Sequence, residues 1–145
     1  MATLYVRPTG PRPDFRLVLA FAWGDATDCD TDGNSQHPAD RGWTELYAQN
    51  RCRPGEVFDV VAASDDPLVL QVDSPLEWLA AAVAYLLAEA SAGSVASDLN
   101  GPFVPASAAL ARLATFDVQA AWTRYWGSLF QRSSAINTTA LRHES

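Results

Sequence analysis

The acidic segment Asp28-Cys29-Asp30-Thr31-Asp32-Gly33 has the residue types and spacing of a cation site. Oxygen ligands at every second residue, followed by a glycine for the sharp turn, form the first half of an EF-hand calcium loop. The second half is missing, because Ala39 stands where that loop requires a bidentate glutamate, and a predicted strand rather than a helix leads in. The sequence therefore favours a solvated acidic turn without metal ligands. A calcium-stabilised accessory domain is a further alternative, which predicts that added calcium changes the melting temperature.

Nucleophilic catalysis needs a thiol or hydroxyl beside a base, and only two cysteines and two histidines are present. Cys29 lies among aspartates, whose charges raise the pKa of a thiol and oppose the thiolate. His37 lies in a proline-bounded loop, and His143 lies near the end of the sequence. No GxSxG elbow, zinc-ligand spacing or glycine-rich phosphate loop occurs. The sequence predicts no catalytic residue, no enzyme activity and no cofactor, and it predicts free thiols at Cys29 and Cys52.

Charge narrows the range of partners. The chain carries a formal net charge of −7, and its ten basic residues are all arginine, a bias typical of GC-rich bacterial genomes. Residues 25–89 contain thirteen acidic residues and three arginines, a net of −10. Such a surface repels nucleic-acid phosphates and anionic lipid headgroups. We therefore expect neither nucleic acid nor membrane as a partner, and the acidity is either a solubilising surface or a docking face for a basic protein.

Length and composition are those of one ordinary domain. With 145 residues, 48% of them hydrophobic, the chain can bury a core without disulfide or metal staples. We expect a single domain at 1–132 and a polar tail at 133–145. The apolar run 78–88 is too short to cross a bilayer, and the first residues lack a signal-peptide pattern. These features predict a cytoplasmic protein.

Apolar and β-branched runs predict about four strands, with a hairpin turn at 64–67 between the last two. These strands are 3–7, 15–23, 56–63 and 68–72. Two polar stretches, 24–42 and 93–105, are predicted loops.

Capping and periodicity predict helices, the clearest beginning at the capping box Ser74-Pro75-Leu76-Glu77 and ending near 91–93. The others are 44–51, 106–113 and 118–131, the last capped by Asp117. An apolar stripe in the final helix, formed by Val118, Trp122, Tyr125, Trp126 and Leu129, is expected to be buried. Strands followed by helices favour an α+β fold with an antiparallel sheet and helices packed on one face.

The aromatic residues suggest where a partner would dock. Trp23 and Trp43 flank the acidic loop, so an aromatic anchor bordered by carboxylates is expected there. We predict that this loop and the 65–66 turn form a partner-binding face. Its predicted residues are Asp25, Asp28, Asp30, Asp32, Asp40, Trp43, Asp65 and Asp66.

A small, acidic α+β domain without catalytic motifs resembles the bacterial immunity proteins that protect cells from polymorphic toxins, including those of contact-dependent growth inhibition. The resemblance is compositional and extends to the class. It implies tight binding to a cognate toxin domain, often a basic nuclease, by a chain that is a monomer outside the complex.

The alternative is a small enzyme or ligand-binding domain with a tryptophan-lined pocket between sheet and helices. A buried glutamate or aspartate beside the pocket would support this alternative. The candidate lining residues are Trp23, Trp78, Trp122, Tyr125 and Trp126.

Overall fold

Seven strands form one antiparallel sheet in the computed structural model, which describes residues 1–131. The strands are β1 Ala2–Arg7, β2 Cys29–Gly33, β3 Leu46–Asn50, β4 Val57–Asp65, β5 Leu68–Ser74, β6 Ser94–Ala96 and β7 Val104–Pro105. Their order across the sheet is β2-β3-β4-β5-β1-β6-β7. The predicted α+β class and antiparallel sheet are confirmed, whereas the expected number of strands, about four, is wrong.

Helices cover one face of this sheet. They are α1 Phe15–Ala22, α2 Glu77–Ala90 and α3 Val118–Gly127, together with a 3-10 helix, Ala106–Arg112. Every residue of α2 from Leu79 to Ala88 is buried, as expected for a helix enclosed on all sides. It packs on β1, β4, β5 and β6 and is covered by α1 and the 3-10 helix. The core therefore lies on one side of the sheet, and the other side carries the polar residues of the strands.

Residues 15–22 form α1, so the strand predicted at 15–23 and its hairpin with β1 are wrong. The apolar run lacks the alternation that separates a strand from a buried helix. The local signal was the N-cap: a carboxylate oxygen of Asp14 accepts a hydrogen bond from the Arg16 backbone N–H at 2.9 Å. Trp23 ends the helix.

The predicted helix at 44–51 is also wrong, because residues 46–50 form β3. Leu46, Ala48 and Asn50 are buried, and they alternate with Tyr47 and Gln49, which is the period of a strand. Both long predicted loops contain strands as well: β2 lies within the first, and β6 and β7 lie within the second. Pairing with strands distant in sequence holds β2 against β3 and β6 against β1, so local propensity was a weak guide to them.

The β4–β5 hairpin and the end of α2 agree with prediction. The capping box does not: Ser74 ends β5, and its hydroxyl donates to the Val57 carbonyl at 2.8 Å instead of capping α2. The chain after α2 requires glycine at position 93, because a Cβ there would lie 2.3 Å from the Arg7 carbonyl oxygen.

In the C-terminal part of the described chain, the Asp117 cap of α3 is confirmed by its hydrogen bond from the Ala120 N–H at 3.1 Å. The expected burial of the whole α3 stripe is wrong. Tyr125 is buried against α1, but Trp126 is 68% exposed. The predicted tail at 133–145 lies outside the described residues. No helix within residues 1–131 has the length and apolarity to cross a membrane.

Candidate functional site

The carboxylates of the predicted partner-binding face do not all lie together. Asp30 of β2 pairs with Gln49 of β3, which pairs in turn with Val57 at the start of β4. Asp65 lies at the other end of β4, a strand of nine residues. A rise of about 3.3 Å per residue places the two ends about 26 Å apart. The 65–66 turn is therefore remote from the acidic end of β2.

Trp43 cannot be the exposed anchor that the sequence predicted, because its side chain is 1% exposed. Its indole Nε1 donates to the Pro13 carbonyl at 2.8 Å. Its own carbonyl accepts a hydrogen bond of 2.8 Å from Nε of Arg12, a largely buried side chain. Trp43 is a core residue that fixes the chain before β3 to the segment before α1.

Two of the predicted carboxylates hold the backbone together. Asp25 accepts hydrogen bonds from the Ser128 hydroxyl at 2.7 Å and the Leu129 N–H at 2.9 Å. Asp40 accepts from the N–H groups of Gln36 at 2.9 Å and Gly42 at 2.8 Å. The hydrogen bond from Gln36 lowers the pKa of Asp40 below its ordinary value. Both carboxylates are already committed to organising loops.

Asp28 and Asp30 share one cation. Arg51 donates from Nε to Asp30 at 2.8 Å, and its Nη1 lies 3.6 Å from an oxygen of Asp28. The hydrogen bond from Arg51 lowers the pKa of Asp30. These side chains are well exposed, so the pair contributes little to stability, and it leaves one negative charge at this edge of the sheet.

Strand register brings a different set of acidic residues together on the face of the sheet that the helices leave uncovered. One row of paired residues crosses β2, β3, β4, β5 and β1, and it consists of Asp32, Tyr47, Asp59, Asp73 and Thr3. In β3, β4 and β5 the neighbours of the row along each strand, such as Ala48, Val60 and Val72, belong to the buried cluster that contains the helices, whereas the row itself does not. We call this surface the open acidic face, and define it by Asp30, Asp32, Glu45, Tyr47, Asp59, Val61 and Asp73.

Asp59 is the electrostatic centre of this face. It lies directly opposite Asp73 in the β4–β5 pairing. Asp59 is exposed to solvent, and the partial desolvation of its carboxyl by the sheet, then the charges of Asp73 and Glu45, raise its pKa. Asp73 is held in place by hydrogen bonds from the Thr3 hydroxyl at 2.5 Å and the Gln71 amide at 2.9 Å. Like charges directly opposite each other destabilise a sheet, so this arrangement costs the free protein stability.

Sequence reasoning identified Asp30 and Asp32 but missed Glu45, Asp59 and Asp73. The alternation of Asp59 with apolar residues along β4 indicated its outward orientation. The pairing that places Asp59 opposite Asp73 depends on the register between β4 and β5, which could not be predicted from the sequence.

We predict that Asp59→Asn stabilises the protein at neutral pH. A raised folded-state pKa means that the folded chain holds this proton more tightly than the unfolded chain. Stability therefore falls as pH rises from the ordinary aspartate range through the raised pKa. Removing one charge of a directly opposed pair should add on the order of 0.2–0.5 kcal/mol at pH 7, the lower part of the range for opposed charges, because water screens the exposed Asp59.

Urea unfolding of Asp59→Asn and wild type across pH 3 to 8 measures this difference. The gain should vanish below about pH 3.9, where an ordinary aspartate is protonated in both states. Asp65→Asn, at the exposed end of the β4–β5 hairpin, is the matched control and should change stability little. Equal stability of Asp59→Asn and wild type at pH 7 would contradict the prediction.

The half calcium motif lies mainly in β2, where it has the geometry of a strand rather than of a loop. Alternation sends Asp30 and Asp32 to one side and Cys29 and Thr31 to the other. Within residues 1–131, no cluster of three or more histidine, cysteine, aspartate or glutamate side chains is arranged to hold a metal ion. Burial, followed by the charge of Asp28, raises the pKa of the Cys29 thiol, which disfavours a thiolate nucleophile.

A cavity of about 720 Å³ lies on the helical side of the sheet, where the end of α1, the start of α2 and the loop before α3 meet the β3–β4 turn. Two of the five aromatic residues that we proposed for a pocket, Trp23 and Trp78, line it. Trp122 instead belongs to the aromatic core, where its ring packs edge-on against Phe21 at 5.1 Å between centroids.

Glu56 is the partly buried carboxylate beside this cavity, with a side chain 14% exposed. It accepts a hydrogen bond of 2.9 Å from Nε1 of Trp23, and Arg53 lies 3.5 Å from its other oxygen. The cavity and the open acidic face lie on opposite sides of the sheet, so they can act independently.

The open acidic face and the cavity are the two candidate sites. Comparison with known proteins adds no further constraint. No protein-family model, no curated protein and no solved structure matches this chain.

Proposed function

We propose that this protein binds and neutralises a cognate, basic toxin domain through the open acidic face, as an immunity protein does. The observation that carries the proposal is the pair of Asp59 and Asp73, which have no salt-bridge partner within residues 1–131 and lie on the sheet face that the described helices leave uncovered. Their repulsion weakens the free protein, and a cationic partner would relieve it. A charge arrangement that opposes folding is more readily explained by binding than by stability.

The spacing of the carboxylates suits a protein that recognises phosphates. Neighbouring strands lie about 4.8 Å apart, so Asp59 and Asp73 form a short row of negative charges across the sheet, and Asp32 lies two strands from Asp59. Nucleases hold the closely spaced phosphates of nucleic acid with arginine and lysine side chains. A basic nuclease is therefore the class of toxin that this face fits best.

Tyr47 takes the role that the sequence assigned to Trp43. It lies between Asp32 and Asp59 in the row, and its side chain is 38% exposed. Tyrosine is enriched at protein interfaces, where its ring supplies contact area and its hydroxyl a hydrogen bond. The open acidic face thus combines an aromatic anchor with carboxylates on both sides.

We expect a neighbouring gene to encode a toxin domain, and co-expression with that domain tests the proposal. We expect the wild-type protein to restore growth of cells that express that domain and to bind the purified domain without any turnover of its own. The double variant Asp32→Asn and Asp59→Asn should protect less well. The control, Asp65→Asn with Asp66→Asn, removes the same number of charges from the hairpin end and should protect fully.

Two outcomes would contradict the proposal. One is protection that is equally strong in both double variants, which would exclude the open acidic face. The other is a failure of the wild-type protein to bind or neutralise the toxin domain that we expect the neighbouring gene to encode.

A further inference from the structure

The cavity on the helical side of the sheet has aromatic walls that are held in place by other aromatic rings. Trp78 stacks on Phe116, with ring centroids 5.4 Å apart and an angle of 18° between the planes. Trp23 packs against Phe58 at 5.7 Å. Trp23, Trp78 and Phe116 all line the cavity. Such braced rings offer a planar ligand apolar surface at little cost in side-chain entropy.

The carboxylates of the cavity are already engaged. Glu56 accepts from Trp23 and lies beside Arg53, as described above. Asp117 accepts from the Ala120 N–H at the start of α3. These contacts reduce the capacity of the cavity to bind a cationic or donor-rich ligand.

Hydrogen-bond donors, by contrast, remain available. Asn50 is 5% exposed and lines the cavity, and its Oδ1 accepts from the backbone N–H of Cys52 at 2.9 Å. Its Nδ2 donates to no acceptor within residues 1–131. Every side-chain nitrogen or oxygen that is fully enclosed in this part of the chain has a hydrogen-bond partner, so Nδ2 is not fully enclosed. The amide nitrogen therefore keeps some contact with solvent, and the cavity is an open space that Asn50 lines.

Two arginines add positive charge. Arg53 lines the cavity and is mostly exposed, so its guanidinium can turn toward a ligand. Arg124 donates from Nη2 to the Phe21 carbonyl at 2.6 Å and from Nε to the Ala20 carbonyl at 3.2 Å. It is thereby fixed beside the cavity, at the end of α1. The lining thus holds two arginines and two carboxylates, and because the acceptors of the carboxylates are engaged, the donor groups of Asn50 and Arg53 are the ones left to a ligand.

We propose that this cavity binds a planar aromatic carboxylate. The ring lies against Trp23 and Trp78, and the carboxylate accepts from Nδ2 of Asn50 and from the guanidinium of Arg53. The volume of about 720 Å³ is within the range of small-molecule sites. This function goes beyond toxin binding and uses the opposite side of the sheet.

Titration with 1-naphthoate, followed by tryptophan fluorescence and by calorimetry, tests the proposal with three matched probes. 1-Naphthylmethylamine keeps the ring but reverses the charge, and cyclohexanecarboxylate keeps the charge but lacks the aromatic ring. We expect saturable binding of 1-naphthoate and at least about tenfold weaker binding of each control, because charge-assisted hydrogen bonds and ring contacts are each worth that factor.

Variants locate the site. Arg53→Gln should weaken 1-naphthoate binding about tenfold or more, since it removes the charge that faces the carboxylate. Arg7→Gln removes an arginine that stacks on Phe103, far from the cavity lining, and should bind normally. Asn50→Asp retains the acceptor for the Cys52 N–H but removes both donor hydrogens, so it should also weaken binding. Its thermal unfolding checks that it remains folded.

The proposal is overturned if 1-naphthoate does not bind at millimolar concentration. It is also overturned if 1-naphthylmethylamine binds as tightly, or if Arg7→Gln weakens binding as much as Arg53→Gln does. Toxin binding by Arg53→Gln should equal that of wild type, so failure of this site and failure of the open acidic face are distinguishable.

Discussion

Replacing Trp43 with alanine will lower the free energy of unfolding by about 3–5 kcal/mol, the range for truncating a large buried aromatic residue. Trp43 is 1% exposed and belongs to the main core cluster. The substitution opens a cavity beneath the chain before β3 and leaves the Pro13 carbonyl without its indole donor. Urea denaturation followed by circular dichroism measures the loss.

Two further variants separate burial from aromatic character. Trp43→Phe keeps most of the ring but loses the hydrogen bond to Pro13, so it should cost less than the alanine variant. Trp126→Ala removes the same side chain from a position that is 68% exposed, and should cost about 1 kcal/mol or less. A larger loss at Trp126 than at Trp43 would show that the assignment of core and surface is wrong.

If the open acidic face binds the basic toxin domain that we propose, the triple variant Asp32→Asn, Glu45→Gln and Asp59→Asn will associate with it at least about tenfold more slowly at low ionic strength, because opposite fields accelerate encounter. At about 0.5 M salt, screening should bring its association rate close to that of wild type. The same variant should be as stable as wild type or more stable, since it relieves the repulsion around Asp59. Stopped-flow mixing and urea unfolding measure the two effects.

The matched control removes three carboxylates from elsewhere on the surface: Asp65→Asn, Asp66→Asn and Asp98→Asn, all exposed. It changes the net charge by the same amount, so general attraction to a basic protein falls equally. If this control slows association as much as the triple variant does, the rate depends on total charge and the open acidic face has no special role.

The fold class was predictable because parts of the chain carry strong local signals. The β4–β5 hairpin has β-branched strands on both sides of a turn, and α2 ends close to the expected residues. Residues 15–22 were wrongly predicted as a strand, because a short apolar run has no period that distinguishes a helix from a strand. The edge strand β2 was missed because its polar sequence pairs with β3 without a hydrophobic pattern.

The site was only partly predictable, for a related reason. Acidity around Asp30 and Asp32 is visible in composition, but the open acidic face also needs Asp59 and Asp73, from two other strands. Their position opposite each other follows only from the register between β4 and β5. Trp43 shows the converse error: its position beside an acidic loop suggested exposure, whereas its ring fills the core.

The most direct test of the open acidic face is oxidative footprinting of the protein alone and in complex with the toxin domain that we propose as its partner. Tyr47 and Trp126 are both exposed aromatic residues, one in the middle of the open acidic face and the other on α3 on the helical side of the sheet. We predict that complex formation strongly lowers the oxidation of Tyr47 and leaves that of Trp126 unchanged. Oxidation of Tyr47 that is the same in the free and bound protein would contradict the assignment of this face as the toxin-binding surface.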